Sequence, residues 1–409
     1  MDTRFYRQNA PWLAAAALMT FSSSFGQTFF ISLSAGGVRD AFGLSDGDWG
    51  GIYTVATLSS ALVLSQVGKL ADRMALVPLI LATAVVYVAA MGTVALAPTA
   101  LVLGLGVFGL RLAGQGMMSH LGMTATARWF RANRGRAVAV AVLGFPLGEA
   151  MLPPLAVLVM AGLGWRATWG VAALVFAIAM LPAILALARG GRTPQGEGDA
   201  SRAAGMDGRH WRQGEVLRHW SFWALLPGVL APAFIGTVIF FHQVHVAETR
   251  DWALTTMALG YPMYAATSVA LSLATGAVID RLGPVRLLPI FLLPIAAAIL
   301  MLTLEGGEGV WLVTLLGIGV SQGVVVTMLG ALWPALYGTR HIGGVKALTV
   351  SATVIATAVG PGITGLMIDR GYALGDQAPA MAVWCLAASA LFAAVAPRLA
   401  VRLAPPAPA

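Results

Sequence analysis

Five ionisable side chains interrupt the long apolar runs of this sequence: Arg111, His120, Glu149, His242 and His245. Arg111 stands in FGLRLAGQGMMSH, between the run TALVLGLGVFGL and a second that lasts to Arg128. A guanidinium stays charged and offers five N–H donors, so in apolar surroundings it can grip an anion. Glu149, in GFPLGEAMLPP, can respond to protonation or balance a cation. FFHQVHVAE sets His242 and His245 three residues apart, on one helical face. That spacing can bind a metal or sense pH. No third ligand stands inside the run, although Glu248 lies just beyond it, and polar lining at the mouth of a cavity explains the pair as well. His120 beside Ser119 reads as polarity between packed helices.

The elements that must hold these residues are membrane helices. The chain has 409 residues, of which 58% are hydrophobic and 10% charged, with a mean hydropathy of +0.81. Soluble domains carry about 25% charged residues. Apolar stretches of about 20 residues, enough to cross a ~30 Å hydrocarbon core, recur throughout. We read twelve spans, at 11–36, 49–68, 76–97, 99–127, 137–161, 165–188, 221–247, 253–279, 287–304, 309–337, 346–368 and 378–397. The first has no small-residue cleavage site after a short core and reads as a retained helix. Cys385, the single cysteine, excludes a disulfide framework and a zinc-cysteine set.

Counting loops alternately gives one side most of the Lys and Arg, including Arg4, Lys69, Arg128, Arg134, Arg209 and Arg398. The other side holds Arg39, Arg166, Arg250 and Arg370. The positive-inside rule then sets both termini in the cytoplasm, and the pI of 10.2 follows from topology rather than from nucleic-acid binding. The Gly- and Arg-rich stretch at 189–220 reads as a cytoplasmic linker with a short amphipathic helix near Trp211–Trp220. It separates two six-span bundles, 1–188 and 221–409.

The halves repeat. GKLADR at Gly68–Arg73 is matched by GAVIDR at Gly276–Arg281, and the same offset of 208 carries Trp12 onto Trp220, Tyr53 onto Tyr261, Gly135 onto Gly343 and Pro153 onto Pro361. Two parallel six-helix repeats form a known transporter architecture, with a midplane site where the repeats meet.

Carried by these motifs, the chain resembles the major facilitator superfamily over essentially its full length. GKLADR and GAVIDRLGPVR are similar to its signature loops between helices 2 and 3 and between helices 8 and 9. The resemblance implies cytoplasmic gating by Asp72, Arg73, Asp280, Arg281 and Arg286. The first copy lacks the glycine and following basic residues that the second keeps as Gly283 and Arg286. RLAGQG, GFPLGEAMLPP and AVGPGITG resemble its helix 4, 5 and 11 segments. ARWFRANRGRAVAVAVLG, the GWR at 164–166, EVLRHWSFWALL and LWPALYGTRHIGGVKAL look similar to the oxalate/formate-antiporter and monocarboxylate-porter branch. That branch implies a small organic anion, but often carries a basic residue in helix 8. Here helix 8 has no charge before Asp280.

The expected protein is therefore an all-α membrane transporter with twelve helices in two pseudo-symmetric halves, monomeric, in a bacterial inner membrane. It moves a small organic solute by alternating access, a monocarboxylate or related anion, with protons as a coupling ion. A porter or exporter of neutral or amphipathic compounds, such as a vitamin or drug, is the alternative. Arg111 and Glu149 lie at similar depth, each about 18 Å from the outer surface at 1.5 Å per residue. They read as an ion pair between helices 4 and 5, either an anion anchor with a proton-responsive carboxylate or a structural lock. In the family's arrangement helices 1, 4, 7 and 10 line the cavity, so Gln27, His242 and Gln322 are candidate solute contacts. The repeat-related Tyr53 and Tyr261 join them. No cofactor is expected. An enzyme lacks any nucleophile–base set here, no phosphate-binding loop points to ATP, and no large soluble domain suits a receptor or scaffold.

Overall fold

The sequence puts apolar runs between short polar turns, and in the computed structural model each run becomes one span. The structure describes residues 3–130, 133–189 and 203–403, with the side chains of Thr3, Asp72 and Arg73 outside that description. Among the described residues there is no strand, and nine helices are long and apolar enough to cross a membrane. One of the nine, Arg134–Ala188, is 55 residues long and serves as two spans. Gly164, at φ 79° and ψ 166°, turns the chain between them. That conformation is open essentially to glycine alone. Two further spans are broken helices. The ninth comprises Pro284–Leu287 and Leu293–Met301, and the first is described below. Twelve spans result.

Large apolar side chains face outward along these helices, among them Leu62, Leu96, Leu101, Leu158 and Val383, each more than 60% exposed. In water such a surface would drive aggregation, and in a bilayer lipid covers it. The chain is a multi-pass membrane protein.

By contacts it divides into two compact units, 1–199 with 240–248, and 200–239 with 249–409. In the first unit the opening helix, Thr3–Ser22, packs on the fourth, fifth and sixth spans. The approach is close at Gly26, where a Cβ would collide with the Leu110 carbonyl. Small residues supply such contacts in lipid, where no hydrophobic force draws helices together. In the second unit the eighth span, Tyr261–Leu282, runs along the tenth, Gly309–Tyr337. Gly323 there faces the Ser268 carbonyl.

The described part of the linker is folded against the second unit. Thr339 N donates to the Ala203 carbonyl at 3.0 Å, and Trp211 N to that of Tyr337 at 3.0 Å. A short helix, Gln213–Arg218, buries Val216. Trp211, Met206 and Val216 supply the apolar contacts that a purely flexible linker would lack.

Candidate functional site

The first span does not run through as one helix. After Thr3–Ser22 it tightens into a 3₁₀ turn, Ser23–Gly26, extends at Gln27 (φ −84°, ψ 155°), and resumes as Thr28–Ile31 and Ala35–Phe42. A helix broken inside a membrane frees carbonyls that water cannot reach, and neighbouring groups must bond them. Tyr87 Oη, from the span Leu76–Leu96, donates to the Ser22 carbonyl at 2.9 Å. Gln27 N bonds the Ser24 carbonyl at 3.1 Å. Arg111 Nη1 donates to the Gly26 carbonyl at 3.3 Å and lies 3.5 Å from Thr28 Oγ1. Gln243 Nε2 takes the Phe29 carbonyl at 3.0 Å and Ser32 Oγ at 2.8 Å.

Arg111 projects from a stretch of the fourth span, Leu110–Met118, that widens into π-helical turns. Such turns concentrate at functional positions. Its side chain is 3% exposed. The guanidinium carbon lies 5.2 Å from the centre of the Tyr53 ring, whose hydroxyl is 2.6 Å from Thr28 Oγ1. Among the described residues Nε has no hydrogen-bond partner and no carboxylate bonds the guanidinium. The predicted ion pair with Glu149 is not formed. Arg111 turns instead toward the broken first span. Glu149 is half-buried on the helix Gly144–Val175, beside Gly148, which packs against Ser24.

A second group of charges lies at the charge-poor end of the same unit. Arg39 Nη1 pairs with Asp46 Oδ2 at 2.9 Å, and Arg39 Nη2 pairs with Glu248. Burial works against the Arg39 cation, but Glu248 and Asp46 outweigh it and raise its pKa. Asp46 opens the second span, Asp46–Val67, behind a Ser45–Asp48 capping box. Its carboxylate also faces His245 Nδ1 at 3.4 Å and His242 Nδ1 at 3.9 Å. Both imidazoles are more than 90% buried, with their ring centres 6.5 Å apart. The described residues contain no set of three or more His, Cys, Asp or Glu arranged to hold a metal. Sequence reading missed Thr28, Arg39, Asp46 and Gln243. An acidic residue at the start of a span, and a basic residue among the few on its side, were the available signals.

Other predicted residues lie elsewhere. Tyr53 and Tyr261 are both fully buried, each in its own unit. Gln27 is half-buried at the break, and Gln322 is exposed on the tenth span. His120 bridges helices as expected, with Nε2 3.2 Å from the Gly68 carbonyl. Asp280, Arg281 and Arg286 are exposed around the end of the eighth span, and no ion pair among the described residues includes them. The side chains of Asp72 and Arg73 lie outside the described residues.

The family model of the Major Facilitator Superfamily matches residues 16–361. The chain belongs to the Major Facilitator Superfamily. As a member it is a secondary transporter rather than an enzyme. It is 25% identical over 391 residues to an uncharacterized 38 kDa protein in the 23S RNA operon of Thermoproteus tenax, a match that covers 94% of this chain and 95% of that one. Two solved structures of a bacterial homologue of the human lysosomal transporter Spinster share this superfamily fold. The inward-facing, occupied form has a TM-score of 0.67 at 18% identity, with 97% of this chain and 95% of that chain covered. The inward-facing, unoccupied form has a TM-score of 0.65 at 17% identity, with the same coverage.

Proposed function

We propose that this transporter carries a small organic anion, a monocarboxylate or a close relative, by proton-coupled alternating access, with Arg111 gripping the negative group. The observation that carries the reading is the charge balance at Arg111. The guanidinium is buried and bonded to neutral oxygens, with Nε to spare. Arginine does not deprotonate in proteins. A buried charge without a counter-charge costs several kcal/mol. The Tyr53 face offsets part of that, about 0.5–2 kcal/mol. An anionic solute supplies the rest, and the Tyr53 and Thr28 hydroxyls are at hand for its second oxygen. The resemblance of ARWFRANRGRAVAVAVLG and LWPALYGTRHIGGVKAL to the oxalate/formate and monocarboxylate branch supports the same class.

In this reading Glu149 contributes to coupling, and Gln27, His242, Gln322 and Tyr261 complete the solute contacts. Asp72, Arg73, Asp280, Arg281 and Arg286 gate the cytoplasmic side. The bundles 1–188 and 221–409 are the working halves of one monomer in a bacterial inner membrane. Both termini are cytoplasmic, as the distribution of Lys and Arg supports.

A second reading, transport of neutral or amphipathic compounds, draws on the bonds of Arg111 to Gly26 and Thr28, which already give it a structural task. A thermal-shift panel of acetate, lactate, pyruvate and benzoate against their amides separates the two. The first reading expects at least one acid, and not its amide, to raise the Tm of the full chain, with the effect lost in Arg111→Gln. Equal stabilisation by amides in wild type and variant would overturn it.

A further inference from the structure

The second span, Asp46–Val67, holds more buried polar atoms than its packing uses. Trp49, Tyr53 and Thr57 stand one turn apart on one face, each at most 2% exposed, while Val55 and Leu62 on the opposite face are more than 60% exposed. Tyr53 Oη is bonded to Thr28, but Trp49 Nε1 and Thr57 Oγ1 have no hydrogen-bond partner among the described residues. Arg111 Nε, of the guanidinium over the Tyr53 ring, is a third such atom. Buried donors are normally bonded, and inside a bilayer water does not reach them.

Aromatic rings join these atoms. Phe241 stacks on Trp49 with ring centres 5.8 Å apart and planes at 25°, and its centre lies 4.7 Å from that of Tyr53. The Arg111 guanidinium carbon is 5.2 Å from the Tyr53 centre. All four residues belong to the first unit. One aromatic surface therefore leads from the guanidinium to the indole N–H of Trp49. Tyr53 and Trp49 are four residues apart, about 6 Å along the helix axis, which is the length scale of a benzene ring with a substituent.

We propose that the solute gripped by Arg111 is an aryl monocarboxylate bearing a further oxygen, with its ring on the Tyr53–Phe241–Trp49 surface and that oxygen accepting from Trp49 Nε1. This rests on the anion reading above and deepens it, since that reading names the charge of the solute and this one names its body. Trp49 becomes a specificity-determining residue.

Each part of the solute follows from a side chain. The carboxylate belongs at the Thr57 end of the surface, where Arg111 Nε and the Thr57 hydroxyl both lack partners. A second carboxylate would meet no free cation at the Asp46 end, because Arg39 is already paired with Asp46 and Glu248. Ring-on-ring contact gains energy beyond the area it buries, which a saturated body of equal size does not. An indole N–H donates and cannot accept. It therefore favours a hydroxyl, ether or keto oxygen at that end and gives a methyl group nothing.

The test measures apparent Kd by thermal shift of the full chain in lipid nanodiscs. The probes are acetate, cyclohexanecarboxylate, benzoate, and the hydroxybenzoates with their methyl counterparts. Wild type should bind benzoate about two- to tenfold more tightly than cyclohexanecarboxylate. It should bind at least one hydroxybenzoate about two- to tenfold more tightly than the matching methylbenzoate. Trp49→Phe keeps a ring and removes the N–H, so there the hydroxy-over-methyl ratio should fall to about one. A ratio taken within one protein is not moved by a general loss of stability, and the wild-type comparisons need no variant. Acetate or cyclohexanecarboxylate binding as tightly as benzoate, or a hydroxyl preference unchanged in Trp49→Phe, would overturn this proposal and leave the anion reading standing. Binding of no acid at all would overturn both.

Discussion

Ser32 Oγ donates to the carbonyl of Phe240 at 2.6 Å, across 208 residues, so the first span touches its own repeat equivalent at the end of the seventh. Gln243 reinforces the contact through the Phe29 carbonyl and Ser32 Oγ. The end of the seventh span thus takes over a share of the bonding that the broken first span gave up.

Replacing Gln243 by Met, of similar size, removes a buried donor from two acceptors. The expected loss is about 1–3 kcal/mol of stability. It should appear as a lower Tm of the purified chain and as faster hydrogen exchange in residues 28–42. A wild-type exchange pattern in that segment would count against this role.

Gly26→Ala should destabilise the first unit by about 1–3 kcal/mol, since the new methyl group meets the Leu110 carbonyl and the Gly114 backbone, which cannot rotate away. Gly51→Ala, where a Cβ meets nothing within 4 Å, is the matched control and should melt like wild type.

How far the sequence discloses this architecture differs from element to element. The twelve spans were legible because burial in lipid demands long apolar runs, and those runs are visible in one dimension. The repeat was legible through GKLADR and GAVIDR. The break at Gln27 was not, for SSSFGQT contains no proline, and its stability comes from Tyr87, Arg111 and Gln243, which are distant in sequence. The isolation of Arg111 was visible, but its partner was misread. The offset of 208 carries Arg111 onto Gly319 and Glu149 onto Thr357, so neither charge is repeated in the second half. Asp46 and the histidines are nearly two hundred residues apart, and nothing local announces that they meet.

Gly164→Ala should cost about 1–3 kcal/mol, because φ 79° with ψ 166° strains any side chain. The turn also aims Arg166, whose Nη1 bonds the carbonyls of Ala95 and Ala97 at the end of the third span. Melting should drop in Gly164→Ala and in Arg166→Ala, and the double variant should lose less than the sum, because the turn and the cap serve one another. Full additivity would separate the two roles.

The linker should loosen in acid. Arg402 donates toward His219 Nε2 at 2.7 Å, and Ser221 N donates toward Nδ1 at 3.3 Å with Ser221 Oγ 2.7 Å from the same nitrogen, contacts that a doubly protonated ring cannot accept. Burial and then the Arg402 charge lower the His219 pKa. A histidine depressed in the folded state contributes stability above its unfolded value of about 6.5. That contribution is lost as pH falls through the folded value. Hydrogen exchange of residues 203–219, corrected for intrinsic rate, should accelerate between pH 7 and pH 5 in wild type and change less in His219→Gln. Equal acceleration in both would assign the effect to other groups.

The central claim is that Arg111 meets an anion. The direct measurement is uptake of radiolabelled monocarboxylates, and of their amides, into liposomes holding the full chain or its Arg111→Lys and Arg111→Gln variants. The account predicts that wild type takes up at least one acid more than tenfold faster than its amide, that Arg111→Lys keeps part of this preference, and that Arg111→Gln abolishes it. Uptake of amides or neutral compounds as fast as acids, unchanged in Arg111→Gln, would contradict it.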